Sequence, residues 1–164
     1  MKVDEDVVFP VYIYESVLIK TFSLCKNSDN EIMGQLIGNV FSYENKKYII
    51  IKDLLYIEGA IYSHKYSTAM IEGTLGDYNT KFNEIRNSRG DEDLLRVGWW
   101  HSHPDFGCFL SNIDLDTQRS RFYASHEVAL VIDPIKYKFK FFTLDNDSKE
   151  GYKEVNFAVI PNLG

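Results

Sequence analysis

"GWWHSHPDFGCFLSNID", Gly98 to Asp114, sets two of the chain's four histidines one residue apart behind a pair of tryptophans, then follows them with Ser-x-x-Asp. The segment "LLRVGWWH", Leu94 to His101, is β-favouring and apolar, which predicts a strand whose end carries the histidines. Side chains at i and i+2 of an extended chain point the same way, so His101 and His103 face one point in space. Pro104 biases His103 toward extended backbone and reinforces that geometry. After a short loop, "SNIDLDTQRSRFY" reads as a helix opened by Ser111, with Asp114 in its first turn.

Working outward, "VYIYESVLIKTFSLCK", Val11 to Lys26, begins extended and then turns helical, since Val17, Leu18, Thr21, Leu24 and Cys25 recur at helical spacing. "EIMGQLIGNVF" is a strand in which Gly34 and Gly38 mark bends or leave room beside the backbone, and "SYENKK" is a turn. "YIIIKDLLYIE", Tyr48 to Glu58, is too continuously apolar for an edge and reads as a central strand. Gly59 to about Ala69 is ambiguous. Leu75, Tyr78, Phe82 and Ile85 make one apolar face of a helix running to about Arg86, closed by "NSRGDED". "EVALVID" and the end of "PIKYKFKFFTL" are strands, and "YKEVNFAVI" is expected to form one last strand. Interleaved helices and strands in 164 residues predict an α/β fold, a sheet flanked by helices, as one domain over 1–164.

The balance of eighteen basic against twenty-four acidic residues gives a formal charge of -6, which argues against nucleic acid as a partner. No stretch approaches the roughly 20 apolar residues of a membrane span. The acidic start "MKVDEDVVFP" does not read as a secretory leader, and two distant cysteines, Cys25 and Cys108, make no disulfide framework. A soluble, reduced, cytoplasmic setting is the expectation.

Imidazoles suit zinc, and catalytic zinc sites use three protein ligands with one position left open. Two histidines leave one ligand to find, and Asp114 is the candidate because a short loop can fold the helix start over the strand end. Such an ion supplies a nucleophile near neutral pH and then needs a general base. Among several glutamates Glu31, at a strand start with glycine three positions on, is locally the best placed. Ser111 is a helix cap by its spacing to Asp114, and also a candidate donor to an oxyanion. Trp99 and Trp100, on opposite faces, read as core and groove wall; Cys108 reads as a metal ligand, a reactive thiol or a small buried hydrophobe. His64 and His126 have no partner spacing. A zinc deaminase would need His-x-Glu with Pro-Cys-x-x-Cys, and neither is present.

"HSHP", six residues, then "SNID" resembles the JAMM signature of the JAB1/MPN/Mov34 metalloproteases, and "EIMGQLIG" resembles the strand that carries that family's glutamate. "GWWHSHP", "GCFLSNIDLDTQ" and "VALVIDP" are similar to stretches of the proteasome-lid deubiquitinase and the signalosome deneddylase, over roughly Val11 to Pro134. The resemblance implies a cytidine-deaminase-like α/β domain with a curved mixed β-sheet flanked by helices. It further implies one Zn2+ on His101, His103 and Asp114, with Glu31 as base and Ser111 steadying the tetrahedral intermediate. The groove expected to take a diglycine tail would involve Trp99, Trp100, Cys108 and Phe109. The implied activity is isopeptide cleavage of ubiquitin or ubiquitin-like conjugates. Processing of ubiquitin-like or sulfur-carrier precursors, and a partner-dependent MPN binding module, are the alternatives, and a homodimer or an MPN-type partner is a further expectation. The region Gly59 to Ala69, where relatives carry an insertion that grips ubiquitin, is short; long C-terminal helices and a cysteine-rich second-metal insertion are lacking. Compactness is what a stand-alone enzyme or an excised domain would have.

Overall fold

In the computed structural model, residues 10–57 and 75–162 are described. The chain begins with β1 (Val11–Tyr14), which passes directly into α1 (Glu15–Lys26). A hairpin follows, β2 (Met33–Tyr43) and β3 (Lys46–Leu55), turned by two residues, Glu44 and Asn45, both at positive φ. That is a narrower turn than "SYENKK" suggests, with the strands running into its ends; a two-residue turn of this hand matches the twist of its strands. Then come α2 (Leu75–Arg89), β4 (Leu95–Ser102), α3 (Asn112–Arg121), β5 (Val128–Asp133) and β6 (Lys138–Leu144). Helix α2 runs three residues past Arg86 and gives way at Gly90, whose φ of 61° favours glycine. Gly59 to Ala69 lies outside the described residues, as do Glu58 and His64.

The expected single last strand is two. "YKEVNFAVI" divides into β7 (Tyr152–Val155) and β8 (Phe157–Ile160). The sheet order is β7-β6-β5-β4-β2-β3-β1-β8, so these two strands occupy opposite edges although one residue, Asn156, joins them. One residue spans only a few ångströms. The sheet therefore curls until its edges nearly meet, the curved, near-barrel form of a mixed α/β sheet. Phe157 seals the closure by packing on Phe139 and Phe141 of β6, with ring centroids 5.0 and 5.3 Å apart.

Alternation sorts the central strands between two faces. Trp100, Leu130, Ile132 and Phe141 point to a core with Val17, Leu18 and Cys25 of α1. Trp99, Ala129, Val131 and Phe142 point the other way, to a core with Leu115 of α3 and Phe122 at its end. This explains why "VALVID" is wholly apolar until its last residue: it is covered on both sides. Tyr78 of α2 joins Ile37, Leu55 and Leu94 in a third cluster. Gly34 is required where β2 passes the Trp100 indole, because a Cβ there would lie 2.0 Å from the Leu55 carbonyl oxygen and 2.5 Å from Trp100 Nε1. The space it leaves lets that indole donate to Leu55 O.

Strand β5 ends on a buried carboxylate. Asp133 accepts hydrogen bonds from the backbone N–H groups of Asp105, Gly107, Ile135 and Lys136 at 2.9–3.1 Å. Burial alone would raise its pKa, but four amide donors outweigh it and hold the carboxyl below its ordinary value. A depressed folded pKa contributes stability above the unfolded carboxylate pKa, and that contribution is lost as pH falls through the folded value. Asp133→Asn should therefore lower the Tm at pH 7, and the gap to wild type should narrow as pH is lowered through the acid range in paired thermal melts. A gap independent of pH would mean that the Asp133 charge is not what the amides hold.

Candidate metal centre

Strands β4 and β5 are parallel neighbours, with α3 as the crossover between them. Such a crossover brings the helix N-terminus to the C-terminal ends of the strands, the usual place for a site on an α/β sheet. His101 stands at that end of β4, on the α3 face beside Trp99, and His103 follows with its N–H donating to Ile132 O at 2.8 Å. Ser111 caps α3 in a reciprocal box: its Oγ accepts from Asp114 N–H, and Asp114 Oδ2 accepts from Ser111 N–H at 2.9 Å. The cap turns Asp114 toward the strand end, and the helix N-terminus favours its negative charge.

The result is a tight triangle. His101 Nε2 and His103 Nε2 lie 3.1 Å apart, and Asp114 Oδ2 is 3.1 Å from the first and 3.0 Å from the second. All three residues are buried. His103 Nδ1 lies 3.1 Å from the Gly107 carbonyl oxygen, which can only accept, so in the neutral ring the proton sits on Nδ1 and Nε2 presents a lone pair. The His103 lone pair is thereby directed toward the same point as His101 Nε2 and Asp114 Oδ2, an arrangement that a positive charge at the centre stabilises. The electrostatics agree. Burial disfavours a charged His103, yet the Asp114 hydrogen bond and charge, the Gly107 carbonyl and the Glu31 charge push its pKa up. For Asp114 burial acts upward, but His101, His103 and the Ser111 amide hold it well below the carboxylate range. Donors around a four-coordinate ion at about 2.0–2.1 Å are separated by roughly 3.3 Å, so this triangle fits a single metal ion after a slight opening.

His101 is backed by a column of rings. Trp99 stacks on its imidazole at 4.3 Å and 12°, Phe122 stacks on Trp99 at 5.5 Å, and the Arg96 guanidinium lies 4.6 Å from the Phe122 ring centre. Gln118 of α3 accepts from Trp99 Nε1 and donates to Phe122 O and Glu127 O, which locks the column in place. Trp99 and Trp100 are thus corrected as groove residues: both have 0% exposure, and each belongs to one of the two cores. Cys108 is half-buried, packs beside the α3 core with its thiol toward Val131 O, and stands outside the donor triangle.

A cavity of about 280 Å3 opens over His103 and Asp114, with Glu31, Ser111, Phe106, Phe109 and Ile113 on its walls. Glu31 arrives there through a two-way link between the strands: Ser102 N–H donates to Ile32 O, and Ile32 N–H donates to Ser102 Oγ, both at 3.0 Å. Met33 then pairs with His101 across β2 and β4. Phe109 tilts against the His103 ring at 4.9 Å and is 42% exposed. Sequence reading missed Gln118, the Gly107 carbonyl and Phe106; a glutamine one turn past a helix-borne ligand was the only local hint.

A near-barrel α/β sheet presents two strand-end imidazoles and a helix-borne carboxylate beneath an open cavity, an arrangement that can hold a metal ion. The model of the JAB1/Mov34/MPN/PAD-1 ubiquitin protease family matches residues 7–125, and the chain belongs to that family, with the JAMM triad typical of its catalytically active members. Among curated relatives, COP9 signalosome complex subunit 5 of Candida albicans is 32% identical over 133 residues, 76% of this chain and 20% of its own length. The 26S proteasome regulatory subunit RPN11 of Eremothecium gossypii is 45% identical over 60 residues, 36% of this chain and 19% of its own. This chain thus spans about a fifth of either relative. The solution structure of protein DSY2949 from Desulfitobacterium hafniense shares the fold, with a TM-score of 0.60 at 16% identity over 93% of this chain and 94% of that one.

The stacked column makes His101 orientation depend on Trp99. Trp99→Leu should cost about 3 kcal/mol in urea unfolding and weaken Zn2+ binding in a chelator competition. Trp99→Phe, which keeps a ring against the imidazole, should retain most of the affinity. Equal affinities for the two variants would remove the stack from the account of the site.

Proposed function

We propose that the chain is a zinc-dependent isopeptidase that hydrolyses the bond after the C-terminal diglycine of ubiquitin or a ubiquitin-like protein. The observation that carries this reading is the convergence of His101 Nε2, His103 Nε2 and Asp114 Oδ2 beneath a cavity walled by Glu31 and Ser111. Two imidazoles and one carboxylate make a borderline donor set that suits zinc, held here by His101, His103 and Asp114, one ion per chain. Zinc so held supplies a Lewis acid for the scissile carbonyl and a nucleophile at neutral pH.

The remaining work falls to the walls. Glu31 takes the proton of the attacking water and delivers it to the leaving lysine amine, a transfer that needs a carboxylate within reach of both. Ser111 Oγ accepts from Asp114 N–H, which leaves its own O–H to donate toward the oxygen that gains charge as the carbonyl becomes tetrahedral. Cap and oxyanion donor are therefore compatible roles for one hydroxyl. Phe106 and Phe109 flank the opening and offer apolar sides to an extended, small-residue tail.

Several relatives are named as subunits of larger complexes. This favours, as a second reading, that turnover depends on a partner, either another MPN-type domain or a second copy of the chain.

The test is cleavage of a diubiquitin or other ubiquitin-like conjugate, in parallel with a precursor extended beyond diglycine, by zinc-quantified protein. Glu31→Gln should keep zinc and lose activity by at least about 100-fold, within the range general bases contribute. Ser111→Ala should lose about 2–4 kcal/mol in kcat/KM. Cleavage of the precursor alone would replace isopeptide hydrolysis with precursor processing, and turnover retained by Glu31→Gln would remove the glutamate from its role. Stoichiometric zinc with neither substrate cut would make the partner-dependent reading the one to pursue.

A further inference from the structure

We propose that Asp133 is a positioning residue for the metal centre, acting on His103 through the turn 104–107; the proposal rests on the zinc reading of the site. Asp133 is not one of the three donors. One path reaches the His103 ring: Asp133 Oδ2 accepts from Gly107 N–H at 2.9 Å, and the carbonyl oxygen of the same Gly107 lies 3.1 Å from His103 Nδ1. The Gly107 carbonyl selects the ring tautomer that leaves Nε2 bare for the metal and fixes the plane of the imidazole. Whatever holds Gly107 therefore aims His103.

The turn would not hold this shape by itself. Asp105 sits at φ 65° and Gly107 at φ 80°, and an aspartate pays a conformational cost in that region. Asp133 Oδ1 offsets it by accepting from Asp105 N–H at 3.0 Å. The same oxygen accepts from Ile135 N–H and Lys136 N–H, so the turn between β5 and β6 and the turn after His103 are fastened to one carboxylate. Pro134, between Asp133 and Ile135, has no N–H to compete. Asp133 itself is immobilised, fully buried at the end of a central strand.

The chemistry of the four bonds makes a discriminating substitution available. An asparagine has one acceptor oxygen and one NH2 group. It retains most bonds with its oxygen in the Oδ1 position, toward Asp105, Ile135 and Lys136, and this sets its NH2 against Gly107 N–H, donor to donor. Asp133→Asn thus strikes at Gly107 while sparing most of the fold. Gly107→Ala reaches the same carbonyl from the other side: its Cβ would meet nothing within 4 Å, so the change acts through backbone conformation at φ 80° alone.

Zn2+ affinity is measured by chelator competition on the wild-type chain, Asp133→Asn and Gly107→Ala, and the Co2+-loaded proteins are compared by visible absorption, which reports ligand geometry. Loss of about 10- to 100-fold in affinity is expected in both variants, the range for groups that orient a metal-binding histidine, together with a shifted Co2+ spectrum. A variant that melts earlier yet binds Zn2+ as tightly as wild type, with the same spectrum, would restrict Asp133 to stability and overturn the proposal. If Asp133→Asn does not fold, Gly107→Ala decides alone on the same two readouts. A wild-type chain that binds no Zn2+ would instead defeat the metal reading, and this proposal with it.

Discussion

Three electron-rich atoms held 3.0–3.1 Å apart in a buried pocket are the constraint around which this molecule is organised. Without a metal ion or a shared proton between them, imidazole nitrogens and a carboxylate oxygen at this distance repel one another, and burial removes the water that would otherwise separate them. Such a cluster persists only if each member is fixed by bonds that do not involve the others. Asp114 is fixed by the α3 cap, His103 by Gly107 and Ile132, and His101 by strand pairing and the Trp99 stack. Each support comes from a different element, so the site can form only in the assembled sheet.

The closure of that sheet is part of the same requirement. A parallel β4–β5 pair must be covered on both faces, and α1 and α3 cover it. With the centre covered, the outer strands have no third layer to rest against. Curling the sheet until β8 and β7 are one residue apart solves this by making β6 and β8 share Phe139, Phe141 and Phe157. The curl also concentrates side chains where the strands converge, and the strand end that holds His101 and His103 lies in this covered centre.

The parts legible in the sequence were those governed by short-range rules. His-x-His at a strand end, Ser-x-x-Asp at a helix start and the apolar run of β5 follow from periods of two and of a helical turn. The division of the last strand was missed because a single strand-disfavouring residue, Asn156, is a weak signal inside "YKEVNFAVI", and only the sheet order reveals that its halves pair with different neighbours. The tryptophans were misjudged for a related reason. Alternation correctly puts them on opposite faces, but cannot say that α3 would cover one face as fully as α1 covers the other. Gln118 and Gly107 escaped notice because their roles depend on what lies across the fold from them.

The side chains over the metal centre divide into two populations with opposite demands. Those that aim the donors, Trp99, Gln118 and Asp133 among them, are fully buried and hydrogen-bonded or stacked on both sides, so little freedom is left to lose when a substrate arrives. Those that face the cavity, Phe106 at 68% exposed and Phe109 at 42%, leave large apolar area in water at the mouth of a charged site. Exposed aromatic area beside such an opening is unfavourable until something covers it. Covering both rings with an extended chain would release that cost upon binding, while the donors beneath stay where the fold has put them. On the proposed function, binding energy would be gathered at the rim and the reacting geometry kept at the floor, as a rigid site acting on a flexible tail requires.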